Sequence, residues 1–166
     1  PRAHRLHELA FFFPLQQVSP EDLETLLPSF SAAGQERAPG RRLHFSPVRG
    51  VLKGYIDLVF FHRGRYYLVD WKSNFLGSDR KSYGPEALSR VMKEARYDLQ
   101  YTLYCLALDL YLRKKDAGYR YETGFGGAFY LFLRGMHPEA ENRPGVFFDR
   151  PKPSLLDRLR DRLVAR

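Results

Sequence analysis

VLKGYIDLVFFHRGRYYLVDWK, residues 51–72, is the stretch that decides the fold of this chain. It contains two runs rich in aliphatic, β-branched and aromatic residues, at 52–61 and 66–72, and this composition is typical of β-strands. The four residues between the runs include Gly64, which suits a tight reversal. The segment therefore predicts a β-hairpin.

The predicted hairpin sets two carboxylates against each other. If residues 62–65 form the whole turn, Phe61 faces Tyr66, and counting back along both strands places Asp57 opposite Asp70. Like charges at directly opposed positions destabilise a sheet, because their Cβ atoms lie only about 5 Å apart. A bound divalent cation would explain why two carboxylates face each other, since Mg²⁺ binds carboxylate oxygens together with waters and phosphate oxygens.

Lys72 adds a positive charge beside this pair. Because side chains alternate between the faces of a strand, Lys72 points the same way as Asp70. A lysine there can contact the attacking water and a scissile phosphate oxygen, and so stabilise charge that develops on phosphorus. An isolated Asp-x-Lys is more often a solvated ion pair at a strand end. The cross-strand Asp57 favours catalysis by metal polarisation and in-line attack.

The flanking sequence predicts further elements. Residues 9–14 are an apolar run stopped by proline, typical of a buried strand, and a short helix should follow the N-cap Ser19. Residues 31–42 resemble a surface loop.

Helical and strand patterns then follow one another along the chain. Residues 85–113 have the composition of one or two helices, and residues 125–133 that of a strand. Leucines 155, 156, 159 and 163 give an amphipathic final helix. The whole predicts an α/β domain with a central mixed sheet flanked by helices.

Length and composition limit the class of protein. The 166 residues, 44% of them hydrophobic, suit one globular domain spanning residues 1–166. The chain begins with Pro1 and has no signal-peptide pattern, so we expect a piece of a longer polypeptide. No apolar run approaches the roughly 18 residues of a membrane span. The expected location is the cytoplasm.

Net charge, cysteine content and motifs limit the binding partners and cofactors that are expected. A net charge of +8 makes nucleic acid the leading candidate, with a merely solvated basic surface as the alternative. The single cysteine, Cys105, excludes a disulfide framework and a four-cysteine zinc or iron–sulfur site within this chain, and its apolar surroundings predict a core residue. No G-x-x-x-x-G-K-[ST] loop occurs, so no ATP site is expected.

Two motifs carry a resemblance to a known family. Residues 54–59 and 67–74 resemble the core of the PD-(D/E)xK nucleases in the form found in the RecB family. Gln100-x-x-x-Tyr104 resembles the Q-x-x-x-Y motif of the same family, and its spacing places both side chains on one helical face. Residues 53–54, 64–67 and 125–135 extend the likeness over most of the chain.

The resemblance implies a restriction-endonuclease-like fold and Mg²⁺-dependent hydrolysis of DNA, with Mn²⁺ as a substitute ion. It implies a domain attached to a bacterial helicase, which cuts single strands as they leave that helicase during double-strand break repair and recombination. The implied partners are RecC-like and RecD-like subunits and the RecA recombinase.

The resemblance also assigns roles to residues. Asp57, Asp70, the backbone carbonyl of Trp71 and Glu8 would hold metal, and Lys72 would position the nucleophile. In the same scheme Gln100 and Tyr104 orient substrate or active-site groups. The alternative for Glu8 is a solvated glutamate at a strand end.

The sequence departs from the family pattern in two respects. The family uses a metal-ligating histidine further upstream, whereas His4 and His7 lie too close to Glu8 for that role and are interpreted as surface residues. Ile56 stands where the superfamily name has proline. The metal shell expected from these residues is therefore incomplete.

A basic and aromatic cluster is the predicted DNA contact. Arg80, Lys81 and Tyr83, with Arg96 beyond them, offer backbone contacts and base stacking. For any one of them a solvated surface residue is the alternative.

Two rival functions stay open. Another PD-(D/E)xK enzyme, such as a phage-type exonuclease, has the same core, while the lone cysteine rejects the iron–sulfur nucleases of CRISPR systems. A catalytically silent DNA-binding or scaffold domain is the second rival. Such domains tend to lose the acids or the lysine that are present here.

Overall fold

Five strands form one mixed sheet in the order β1-β2-β3-β4-β5. The computed structural model describes residues 5–26, 43–137 and 143–165. The strands are β1 Arg5–Val18, β2 Val48–His62, β3 Arg65–Lys72, β4 Phe125–Phe132 and β5 Val146–Asp149. Neighbours pair antiparallel except β3 and β4, which are parallel. The predicted mixed sheet is confirmed.

Most of the helical residues lie in the connection between β3 and β4, because parallel neighbours need a long crossover. The helices are α1 Pro20–Leu26, α2 Pro85–Glu94, α3 Tyr97–Lys115, α4 Tyr121–Gly124 and α5 Pro153–Leu163, and a 3₁₀ turn, Arg80–Tyr83, precedes α2. Within the described residues no helix is both long and apolar enough to cross a membrane.

The hairpin of β2 and β3 has the predicted register. Phe61 pairs with Tyr66. The turn is tighter than predicted, because His62 and Arg65 also pair and leave only residues 63–64 outside the ladder. Both turn residues have positive φ, 47° and 79°, the backbone that a two-residue hairpin turn requires. The shorter turn preserves the register, since one residue joins each strand.

The helix α3 packs on the sheet and forms the centre of the core. Cys105, Leu106 and Leu108 are fully buried, as predicted for Cys105. The four leucines of the predicted final helix are buried in α5. At the other end of the domain, Ser19 caps α1 by accepting the Asp22 N–H (3.3 Å), while its own N–H donates to the Asp22 carboxylate (2.8 Å).

The prediction that Pro14 stops the first strand is wrong. β1 continues to Val18, and Pro14 pairs with Val51 within it. The Pro14 carbonyl points away from β2 and accepts the Ala165 N–H at 2.9 Å. Because the N–H and C=O of one strand residue point the same way, the missing N–H costs no bond to β2. Residues 31–42, the predicted loop, lie outside the described residues.

The sheet face opposite α3 carries a row of aromatic rings. The ring centroids of Phe60 and Tyr67 lie 5.0 Å apart, those of Tyr67 and Phe129 6.0 Å, and those of Phe129 and Phe148 4.6 Å. This aromatic row crosses β2, β3, β4 and β5, and it ends at Phe148, which is 48% exposed.

Candidate active site

The two aspartates of the predicted pair lie where the β2–β3 ladder ends. Its last pair is Leu58 with Val69, and Asp57 and Asp70 are the next residues of the two strands, just beyond that pair. The Asp57 carboxylate accepts the Trp71 N–H at 2.9 Å, so this side chain binds a backbone donor beside Asp70. The charge of Asp57 also raises the pKa of Asp70. The two acids therefore share one electrostatic environment.

Asp70 is buried beside the Lys72 ammonium. It is 4% exposed, and burial is the main reason that its pKa lies above the ordinary value. The Lys72 ammonium forms an ion pair with it and opposes that rise. A carboxylate that is buried, close to a second acid and matched by one lysine would gain from a further positive charge.

The Lys72 ammonium is held from several sides. It donates to the Gln100 side-chain carbonyl at 2.9 Å. It also lies over two aromatic rings, 4.1 Å from the Tyr97 centroid and 5.0 Å from that of Tyr130. These contacts fix the direction in which the lysine presents its charge to the site.

The Q-x-x-x-Y motif connects the helix α3 to the lysine. Gln100 donates from its amide nitrogen to the Tyr104 hydroxyl at 3.1 Å, and its carbonyl also accepts the Tyr130 hydroxyl at 3.1 Å. Burial raises the pKa of Tyr104, so its hydroxyl stays protonated at neutral pH. The motif thus reaches the Asp70–Lys72 pair through Gln100.

Two tyrosines of this network were missed by sequence reasoning. Tyr130 stands beside Asp70 because β3 and β4 pair in parallel. The two strands are separated in sequence by the whole helical crossover, so the local spacing of residues does not predict which of them pair. The sequence feature that could have indicated Tyr130 is its place on the predicted strand 125–133, where alternation directs its side chain to the face that α3 covers. Tyr97 opens α3 three residues before Gln100 and therefore lies on the same helical face.

The sheet is distorted at Asp57. Ile56 and Val59 are both buried, although residues three apart on a regular strand face opposite sides. In β1 the residue at the same level is Glu8, whose neighbours pair with Ile56 and Leu58. Glu8 has φ of 51°, a left-handed backbone uncommon for non-glycine residues. Such strain is often found at functional sites.

The donor set suits a hard cation. Across residues 5–26, 43–137 and 143–165, no three or more His, Cys, Asp or Glu side chains converge on one point. Asp57 and Asp70 would supply two carboxylates, a donor set of the kind that Mg²⁺ takes together with waters, whereas zinc prefers nitrogen and sulfur ligands.

The other predicted ligands are less closely placed. Glu8 is exposed and is not grouped with the two aspartates, although the register brings it level with Asp57. The Trp71 ring is 44% exposed on the face opposite Asp70, as expected from alternation. The roles of Glu8 and of the Trp71 carbonyl stay predictions. His7 is exposed as predicted, and His4 lies outside the described residues.

One predicted DNA contact is wrong. Tyr83 is 3% exposed, and its hydroxyl accepts the Leu76 N–H at 3.1 Å. Its ring fills the space above Gly135, where a built Cβ would come within 2.3 Å of it. The 3₁₀ turn directs Tyr83 into the core, so it cannot stack on bases. Arg80 and Lys81, in the same turn, are exposed.

Arg96, the fourth predicted DNA contact, lies nearer to the site. It joins α2 to α3 in a left-handed conformation, with φ of 56°. Its guanidinium is 3.5 Å from the Asp98 carboxylate. The side chain lines a cavity together with Gln100 and Tyr104.

Comparison with known proteins identifies the family. The model of the PD-(D/E)XK nuclease superfamily matches residues 6–165. The chain belongs to this superfamily. The expected nuclease family and fold are confirmed.

Several RecB subunits are similar to this chain. "RecBCD enzyme subunit RecB" of Escherichia coli is 46% identical over 150 residues, 90% of this chain and 12% of that protein. The subunit of the same name in Haemophilus influenzae is 50% identical over 121 residues, 73% of this chain and 10% of that protein. The one in Mycobacterium tuberculosis is 36% identical over 180 residues, 96% of this chain and 16% of that protein. The chain thus spans only a small part of these relatives.

Proposed function

We propose that this domain hydrolyses DNA phosphodiester bonds with Mg²⁺, Mn²⁺ serving as a substitute. The observation that carries the proposal is the ion pair of Lys72 with the buried Asp70, beside Asp57, whose carboxylate accepts the Trp71 N–H. Two acids can hold a divalent cation and a lysine beside them can neutralise charge on a phosphate, as phosphodiester hydrolysis requires. The superfamily to which the chain belongs is one of nucleases.

Each residue then has a separate task. Asp57 and Asp70 would hold the ion, which supplies Lewis-acid polarisation of the phosphate when bound. Lys72 orients the attacking water and neutralises charge that develops on the phosphate oxygens. Gln100 holds the lysine in place through its 2.9 Å hydrogen bond, and Tyr104 holds Gln100. Glu8 would assist from the neighbouring strand.

The biological setting is proposed from the relatives. They are RecB subunits of the RecBCD enzyme, so we assign this domain to an exonuclease V type of complex in bacterial double-strand break repair and recombination. Its partners would be RecC-like and RecD-like subunits, the RecA recombinase and single strands leaving the helicase, in the cytoplasm. The net charge of +8 supports the DNA partner, and the half-buried aromatic row with the exposed Phe148 at its end supports a protein partner.

Cleavage of end-labelled linear DNA tests the proposal. The protein should release labelled products with Mg²⁺ and none with EDTA, because the two carboxylates depend on the ion to act. Asp70→Ala should release none under either condition. The matched control is Asp161→Ala, which removes an exposed aspartate of α5 and should cleave as the wild type does. Equal cleavage by Asp70→Ala and the wild type would refute the assignment. DNA binding without cleavage by the wild type would favour the scaffold function.

A further inference from the structure

A cavity of about 280 Å³ lies beside the candidate active site, between the first two strands and the start of α3. Four of its lining side chains are apolar: Phe11, Leu52, Leu99 and Leu103. Gln100 and Tyr104, which form the network around Lys72, close one side of it. The cavity and the candidate active site therefore share a wall.

A buried aromatic ring lines the cavity. Phe11 is 8% exposed and meets the Tyr104 ring edge-on, with centroids 5.5 Å apart. The ring lies across β2 at Gly54, where a built Cβ would come within 2.5 Å of it. Glycine at position 54 thus allows the Phe11 ring to lie against the strand.

One cation lies at the edge of the cavity. Arg96 lines it at the junction of α2 and α3, where its guanidinium is 3.5 Å from the Asp98 carboxylate. An apolar lining with an arginine at its edge matches a nucleotide, whose base is flat and apolar on its faces and whose phosphates are anionic.

The distance to the reacting centre is short. Gln100 lines the cavity and also accepts the Lys72 ammonium at 2.9 Å. Along β2, Gly54 is three residues from Asp57, which corresponds to about 10 Å of extended strand. A strand whose scissile phosphate lies at Asp57 and Lys72 would place a neighbouring nucleotide at the cavity.

We propose that this cavity binds the nucleobase of one unpaired nucleotide next to the scissile phosphate, while Arg96 contacts a phosphate beside it. The proposal rests on the proposed DNA hydrolysis. The volume lies just below the range of about 300–1,000 Å³ typical of small-molecule sites, so it suits one base and not a larger ligand. A base in a duplex is stacked and paired, so only a single strand or an opened end can supply it.

Removing one base from the substrate tests the proposal without changing the protein. A labelled single-stranded oligonucleotide carries one abasic nucleotide at a defined position, and cleavage with Mg²⁺ is mapped at both flanking bonds. At one of these bonds the rate should fall about tenfold below that of the intact strand, the size expected for losing one stacked base. Rates at both bonds equal to those of the intact strand would overturn the proposal.

A variant that fills the cavity gives the second test. Leu99→Trp should cleave the intact oligonucleotide about as slowly as the wild type cleaves the affected bond of the abasic oligonucleotide. Its cleavage rates for the intact and the abasic oligonucleotide should therefore be equal. The matched control is Leu110→Trp, a partly buried position of α3 outside the cavity, which should keep the distinction. A Leu99→Trp variant that folds and still distinguishes the strands would overturn the proposal.

Binding separates failure of this proposal from failure of the proposed function. If the wild type cleaves no DNA, hydrolysis is refuted, but fluorescence anisotropy still compares its affinity for intact and abasic oligonucleotides. Weaker binding of the abasic strand, with the difference lost in Leu99→Trp, would support the base site. Equal affinity of the wild type for both strands would overturn it.

Discussion

Lys72→Met should cleave DNA about a thousandfold more slowly than the wild type while binding DNA nearly as well. Loss of one preorganised group that stabilises transition-state charge costs about 10²–10³ in rate, and in the proposed mechanism Lys72 also orients the attacking water. Methionine keeps the length of the side chain and can pack against the same two rings, Tyr97 and Tyr130. Single-turnover cleavage with Mg²⁺ measures the rate, and fluorescence anisotropy measures DNA affinity.

Lys114→Met is the matched control for Lys72→Met. Lys114 is exposed in the last turn of α3, so its loss removes the same charge from the protein but none from the site. It should cleave at close to the wild-type rate. If Lys72→Met cleaved as fast as Lys114→Met, the lysine would have no part in the chemistry.

Asp70→Asn should be inactive yet more stable than the wild type at pH 7 in EDTA. Burial raises the pKa of Asp70 in the folded protein above its value in the unfolded chain, where the group is solvated. The folded state therefore binds the proton more tightly. Stability from this group is fully present below the unfolded pKa and is lost as the pH rises through the folded pKa. Asparagine resembles the protonated acid and avoids that loss.

Urea denaturation at several pH values measures the difference. The gain in the free energy of unfolding for Asp70→Asn should be present at pH 7 and shrink as the pH falls toward the ordinary aspartate value, near 3.8. With saturating Mg²⁺ the wild type should recover stability that Asp70→Asn does not, since a bound ion stabilises only a protein that binds it. A variant less stable than the wild type at pH 7 in EDTA would contradict the account.

The sequence-based predictions succeeded where the deciding information is local. The hairpin register depends on a short turn, so counting from residues 62–65 correctly paired Phe61 with Tyr66. The i, i+4 spacing of Gln100 and Tyr104 correctly predicted a shared helical face, and their side chains are hydrogen-bonded. Both features can be read within a few residues.

The predictions failed where position depends on distant parts of the chain. Tyr130 joins the site through a parallel register that no local pattern encodes. Tyr83 lies among basic residues, but the 3₁₀ turn buries it. Pro14 continues a strand because β1 is at the edge of the sheet. The distortion of the sheet near Asp57 involves β2 together with Glu8 in β1. The sequence pattern of either strand taken alone does not predict it.

The central claim is that Asp57 and Asp70 share one divalent cation. Titration of the protein with Mn²⁺, followed by electron paramagnetic resonance of the free ion, tests this claim most directly. We predict one saturable Mn²⁺ site in the wild type, competed by Mg²⁺, and its loss in both Asp57→Asn and Asp70→Asn, with Asp161→Asn binding as the wild type does. Wild-type Mn²⁺ affinity in both Asp57→Asn and Asp70→Asn would contradict the account.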